Sequence, residues 1–189
     1  MKNQFKYFFI CCCMLISISV QAQQTKEKII LETFLDAQNK PTYPSAEVYT
    51  LSGDWIFDSA LLTPNEKLDI RPKSPRVLGP RAANAENGFL ATQFDIKGLT
   101  AIKVGFIGFK ADEGFFAVEV FVSKDQGKSW ATLGIRRGDP TKEEETFATF
   151  KISNKKNEAY RVKIVNASAP KQNRLNRINI TEVQFTYSD

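Results

Sequence analysis

The sequence predicts an all-β domain, a two-sheet antiparallel jelly-roll β-sandwich. Three observations predict it. Short runs of alternating apolar and polar residues recur from Ser52 onward, as in residues 115–122 (FFAVEVFV) and 159–166 (AYRVKIVN), and a period of two marks half-buried strands. No long stripe with the period of an amphipathic helix interrupts them. No internal repeat is visible, and a propeller would need repeated blades, so the expected nine or ten strands pair as two sheets.

In chain order, residues 29–34 (IILETF) read as the first strand. Residues 38–46 carry Asn39, Pro41 and Pro44 and read as a loop. Residues 53–57 form a short strand with Trp55 and Phe57 on one face. One turn over residues 60–65 and pairing over 68–71 are expected. Residues 71–88 are the longest irregular stretch, with Pro72, Pro75, Gly79 and Pro80. Within it, residues 76–78 fit a short edge strand, because flanking prolines are best tolerated at an edge.

Residues 89–96 and 99–109 are strands. The second has Ile102, Val104 and Phe106 on one face, and Gly105 and Gly108 mark a bulge or a close backbone approach. In residues 115–122, Val118, Val120 and Val122 share a face opposite Ala117, Glu119 and Phe121. Residues 123–130 (SKDQGKSW) then make a hairpin turn. Asp125 supplies an acceptor for backbone N–H groups two residues on, and Gly127 supplies positive φ. A short strand begins at Trp130, and residues 134–145 read as a charged loop. Residues 147–152 and 159–166 are strands, the latter with Tyr160, Val162 and Ile164 inward and Arg161 and Lys163 outward. Residues 167–174 form a basic loop. Residues 177–187 close the domain, and the apolar parity flips between Ile180 and Val183, which predicts a bulge near Thr181.

The start of the chain has its own character. Lys2 and Lys6 precede an apolar run over residues 7–20, and Val20, Gln21 and Ala22 form a small-residue cleavage site. Residues 1–22 are read as a secretory signal, 23–28 as a polar tether and 29–189 as one domain. The product is expected to be secreted: periplasmic, surface-bound or released. Processing removes Lys2 and Lys6, leaving 24 basic against 21 acidic residues and a net charge of +3. That mild excess permits an acidic partner without demanding one.

Cys11, Cys12 and Cys13 all fall inside the signal, and the chain has no His. A processed domain thus lacks Cys nucleophiles, His general bases, disulfides, and Cys or His metal sites. Carboxylates, Tyr, Lys, Arg or an oxygen-ligated calcium remain.

With these residues in place, two resemblances appear. Residues 123–130, spaced Ser-x-Asp-x-Gly-x-Ser-Trp, resemble the Asp-box, a hairpin signature of propellers and some sandwiches that says little about chemistry. Residues 31–34 (LETF), 52–57 (SGDWIF), 74–78 (SPRVL), 123–130, 160–164 (YRVKI) and 177–183 (RINITEV) together look like the galactose-binding-like jelly-roll domains of secreted Bacteroidetes proteins. That resemblance implies a module of the kind appended to extracellular nucleases and polysaccharide lyases. The family commonly has an Asp in its closing segment, where this chain has Thr181 and Glu182.

The expected function is a non-catalytic module binding carbohydrate or another extracellular polymer. One alternative is a structural or adhesion module docking another cell-envelope protein. Another is a small hydrolase or lyase using carboxylates, for which no pair stands out. Arg71, Arg76 and Arg81 in the long loop are candidate clamps for carboxylates or phosphates, set against a solvated loop. Trp55 is a candidate sugar platform, set against core packing; Trp130 is expected to pack in the sandwich. Arg136, Arg137, Lys171, Arg174 and Arg177 read as a mixed charged surface more than a nucleic-acid patch. Glu32 and Glu182, with Asp36 or a carbonyl, are candidate ligands for a structural calcium; no other cofactor is expected. A polysaccharide or glycan is the expected partner, with an envelope protein the alternative. Neither nucleic acid nor, once the signal is removed, a membrane is expected.

Overall fold

Alternation does organise the chain. In a computed structural model, residues 26–63, 69, 73–80, 87–141, 143–154, 157–169 and 176–188 are described. They contain thirteen strands and no helix: β1 (Glu27–Glu32), β2 (Ala46–Thr50), β3 (Gly53–Asp58), β4 (Ala60–Leu61), β5 (Arg76–Val77), β6 (Phe89–Thr92), β7 (Ile96–Lys97), β8 (Leu99–Gly108), β9 (Ala117–Ser123), β10 (Ala131–Arg137), β11 (Thr146–Lys151), β12 (Ala159–Asn166) and β13 (Ile178–Ser188). The expected signal, residues 1–22, lies outside the described residues.

Two antiparallel sheets face each other. One runs β11-β8-β13-β5-β4, with β1 also paired to β13. The other runs β10-β9-β12-β6-β3-β2, with β7 paired to the end of β12. The inward rows meet between them: Ile102, Val104 and Phe106 from β8, Val118 and Val120 from β9, Val162 and Ile164 from β12, and Val183 and Phe185 from β13 are all buried. At one end the core is aromatic. Trp55 stacks on Phe185 with centroids 6.0 Å apart and meets Phe34 and Phe94 edge-on at 5.4 and 6.1 Å, the separations at which aromatic pairs attract.

Several expectations change in detail. The first strand starts at Glu27, because Glu27 and Lys28 pair with Ser188 and Tyr187. Strand β2 was not expected, and it pairs with β3 through a tight turn at Leu51 and Ser52. Ala60 and Leu61, expected in a turn, pair with β5. Strand β5 is interior rather than an edge, with β13 on one side and β4 on the other. It is only two residues long, so neither flanking proline has to donate; the Pro75 carbonyl accepts from the Ile180 N–H at 2.9 Å instead. The expected strand over 89–96 is two short pieces, β6 and β7. The hairpin's second strand runs to Arg137, so residues 134–137 are strand, not loop. A register shift between Thr132 and Gly134 allows this, with Gly134 at φ 113°. The bulge near Thr181 is present as a register shift between Ile180 and Glu182, opposite Phe106 and Gly105. It turns both Ile180 and Val183 inward.

Candidate functional site

The outer face of the seven-stranded sheet is where alternation leaves unusual side chains. Inward Val120 and Val162 force Phe121, Arg161 and Lys163 outward on the same strands. Register then fixes neighbours: Phe121 lies opposite Lys163 on β12, and Lys163 lies opposite Ala91 on β6. The Lys163 ammonium sits over three aromatic rings, 4.6 Å from the Trp130 centroid, 5.3 Å from Phe121 and 5.4 Å from Phe89. These are cation–π distances, and they hold a long side chain against the sheet.

The hairpin turn delivers Trp130 to this face. The Ser123 hydroxyl donates to Asp125 Oδ1 at 2.7 Å and accepts from the Gly127 N–H at 2.8 Å. The Asp125 carboxylate accepts from the Ser129 N–H at 2.9 Å and from the Ser129 hydroxyl at 2.5 Å. Its backbone donor is thus four residues on rather than the expected two. Gln126 and Gly127 take φ values of 61° and 87°. The indole lies against Gly127, where a Cβ would sit 3.3 Å from Trp130 Cζ2. The turn is tied to the sheet by Arg161, whose Nη1 donates to the Gln126 carbonyl at 3.2 Å and whose Nε donates to Asp95 Oδ1 at 3.0 Å.

Together these residues border a cleft of about 310 Å³ lined by Trp130, Phe89, Ile56, Gln93, Gln126, Arg161 and Lys163, among others. Among the described residues, no carboxylate lines it. A second cleft, of about 380 Å³, opens at the end of the sandwich beside Asp95, Lys97, Asn157 and Tyr187. Asp95 brings a carboxylate to it. Apolar surface beside a few convergent polar groups is the usual make-up of a small-ligand site.

The hydrogen bonds from Ser129 and Ser123 hold the Asp125 carboxyl well below the usual aspartate range. Hydrogen bonding to the charged form has this sign. The ordering contributed by Asp125 is therefore present above the unfolded aspartate pKa and lost as pH falls through the lower, folded value. With two tryptophans in the chain, their indole N–H resonances report separately. The Trp130 resonance is expected to hold its position from pH 7 through the ordinary aspartate range and to move only at lower pH. In Asp125→Ala it is displaced already at pH 7. A Trp130 shift at the ordinary aspartate pKa contradicts the assignment.

The residues singled out from sequence end up elsewhere. Trp55 is 0 % exposed, inside the core, so no sugar reaches its face. Trp130, expected in the core, is the tryptophan on the outer face. Strand parity explains both: Trp55 pairs with inward Val48 on β2, whereas Trp130 precedes β10 and folds over its own turn. Arg76 is 6 % exposed and holds Asp69 through Nε and Nη2 at 3.0 and 2.9 Å. It is a buried structural ion pair rather than a ligand clamp. Arg71 and Arg81 lie outside the described residues, as do Lys171 and Arg174.

Arg136 and Arg137 are exposed on β10, near the Phe150 and Phe115 rings. Arg177 instead pairs with Asp112 at 2.6 Å. Glu32 and Glu182 do not converge. Glu32 pairs in register with Val183, so Glu182 points to the opposite face. Glu32 accepts from the Phe34 N–H and from the Thr50 and Ser52 hydroxyls, while Glu182 binds Lys103 Nζ at 3.2 Å. Asp36 accepts from the Leu51 N–H at 2.6 Å. Among the described residues, no group of three or more acidic, His or Cys side chains is arranged to hold a metal.

Sequence reasoning missed Arg161, Lys163, Gln93 and Gln126 as site residues. The available signal was parity: both cations were outward on β12 and Phe121 was outward on β9. What was absent was the order of strands that puts β6, β9 and β12 side by side.

No family model matches the chain, and no curated protein matches it. Solved structures do. The K2 cleaved adhesin domain of Lys-gingipain (Kgp) is similar with a TM-score of 0.56 at 14% identity, over 84% of this chain and 99% of that one. The CBM36-1 domain of a multidomain xylanase from the hindgut metagenome of Trinervitermes trinervoides matches with a TM-score of 0.47 at 10% identity, over 85% and 96% of the two chains. A non-crystalline cellulose-specific carbohydrate-binding module, CBM28, matches with a TM-score of 0.42 at 9% identity, over 69% and 78%. The likeness to the adhesin domain is one of overall fold, and this chain is an all-β, two-sheet antiparallel jelly-roll sandwich.

Proposed function

We propose that this chain is a secreted, non-catalytic β-sandwich that binds carbohydrate or another extracellular polymer through the outer-face cleft beside Trp130. The observation that carries the reading is the grouping of a partly exposed indole with Arg161, Lys163, Gln93 and Gln126 around one cleft. The C–H face of a pyranose suits the indole face over which the Lys163 ammonium rests and would displace that ammonium, while amide, guanidinium and ammonium groups suit the sugar's hydroxyls or an acidic substituent. The turn's hydrogen bonds and the Arg161 tie hold the indole in place before a ligand arrives. Such preorganisation lowers the entropy cost of binding.

The test is affinity electrophoresis of residues 23–189 against neutral and acidic polysaccharides and DNA, with and without calcium. Retention on at least one polysaccharide is expected, with a loss of tenfold or more in affinity for Trp130→Ala, about 1.4 kcal/mol. Retention only on polyanions, abolished by salt, would indicate a general charge effect. No retention on any polysaccharide, or retention indifferent to Trp130→Ala, overturns the reading.

A second reading, a structural or adhesion module docking another envelope protein, draws on exposed apolar residues near β1. Ile29 and Leu31 on β1 are 60 % and 52 % exposed, and Leu51 in the β2–β3 turn is 94 % exposed. Exposed apolar clusters often mark protein contacts. The expected signal supports secretion under either reading.

A further inference from the structure

We propose that the outer-face cleft and the end cleft are two subsites of one extended site for an oligosaccharide chain, joined across the Asp95–Arg161 ion pair. This rests on the carbohydrate-binding reading. It adds a second contact region and a requirement that the ligand be a chain rather than a single sugar.

The link between the clefts is a side-chain contact. Asp95 lines the end cleft and Arg161 lines the outer-face cleft, and Arg161 Nε donates to Asp95 Oδ1 at 3.0 Å. A polymer leaving Trp130 along the sheet meets this pair and then the second cleft.

The end cleft has the chemistry a sugar unit needs. Ile30 and Ile96 give it apolar surface, while Lys97, Asn157 and Tyr187 bring an ammonium, an amide and a phenol. Among the described residues, none of these three polar side chains is held in a hydrogen bond, unlike the Asp125 and Asp112 carboxylates elsewhere. The backbone is also shaped for the cleft. Asn157 takes φ 51°, and Gly98 takes φ 70°. A Cβ at Gly98 would collide with the Ser188 carbonyl and crowd Asn157 Oδ1. Glycine therefore lets the turn before β8 pass close beneath both of the cleft's walls.

Because the clefts adjoin, binding in the second one should strengthen with ligand length, since a tethered second contact is made at high effective concentration. The probes are cello-, xylo-, laminari- and galacturonate oligosaccharides of two and six units, measured by calorimetry on the purified protein. The expected result is a hexasaccharide that binds at least tenfold tighter than the disaccharide of the same series. In Asn157→Gly with Tyr187→Phe that ratio falls to threefold or less. Gly accepts the positive φ, and Phe keeps the ring, so both changes spare the fold. As an independent readout, the Asn157 side-chain amide resonance shifts with the hexasaccharide. An unchanged ratio in the double variant, or equal affinity for both lengths in the parent, overturns the two-subsite proposal while leaving the Trp130 site standing. Absence of binding by every oligosaccharide sinks the carbohydrate reading and this proposal together.

Discussion

Trp55→Ala is expected to lower the stability of the domain by about 3–5 kcal/mol, the range for truncating a buried large aromatic. Trp130→Ala is expected to change it far less. The same residue type thus divides into a core role and a surface role. Trp55 is 0 % exposed and sits among Phe34, Phe94 and Phe185. Its removal opens a cavity where the two sheets meet, and the inward strands β3 and β13 cannot collapse without breaking their ladders. Trp55→Phe should cost less than Trp55→Ala for two reasons. The smaller ring still fills part of the space. The Trp55 Nε1–H has no acceptor among the described residues, and deleting a buried unpaired donor recovers part of its desolvation cost. Denaturant unfolding of the three variants measures this order. A Trp130→Ala loss as large as that of Trp55→Ala would contradict the placement of both side chains.

Much of the fold was legible because a period of two is a local signal. The inward rows of β8, β9 and β12 could be read residue by residue. So could the bulge near Thr181, since an apolar strand that changes parity midway must carry one extra residue against its partner. The self-capping turn was equally local, because its donors and acceptors lie within seven residues.

Features set by distant pairing were hidden. Strand β2 has only Val48 buried, so its alternation is weak until β3 defines it. Arg76 looked like a loop cation because its partner Asp69 is seven residues away in a stretch rich in proline. Trp130 reads as a core residue yet lies on the outer face, because an aromatic residue after a turn has no parity until the hairpin register is known. The cleft itself needed the order β9-β12-β6, which brings residues from three separate strands together. No spacing within one segment encodes that order.

The buried pair at Arg76 carries the other large expected effect. Arg76→Ala is expected to destabilise the domain by about 3–5 kcal/mol, because it leaves the Asp69 carboxylate buried without its guanidinium. The side chains are 7 % and 2 % exposed, so water cannot replace the lost partner readily. Asn179 Nδ2 also donates to Asp69 Oδ1 at 2.8 Å, a contact that Arg76→Ala leaves in place.

The Phe109 ring is also affected. It lies between two guanidinium groups, with Arg76 Cζ at 4.2 Å and Arg177 Cζ at 4.1 Å from its centroid. Removing Arg76 strips one of these contacts. Replacing the pair together, Arg76→Met with Asp69→Leu, is expected to recover most of the loss, since a buried ion pair often contributes no more than apolar groups of similar volume. A double-mutant cycle in urea separates the two effects. A double variant as unstable as Arg76→Ala would mean that Asp69 serves the fold through a contact other than this pair. An Arg76→Ala variant as stable as the parent would return Arg76 to the surface and reopen its role as a ligand clamp.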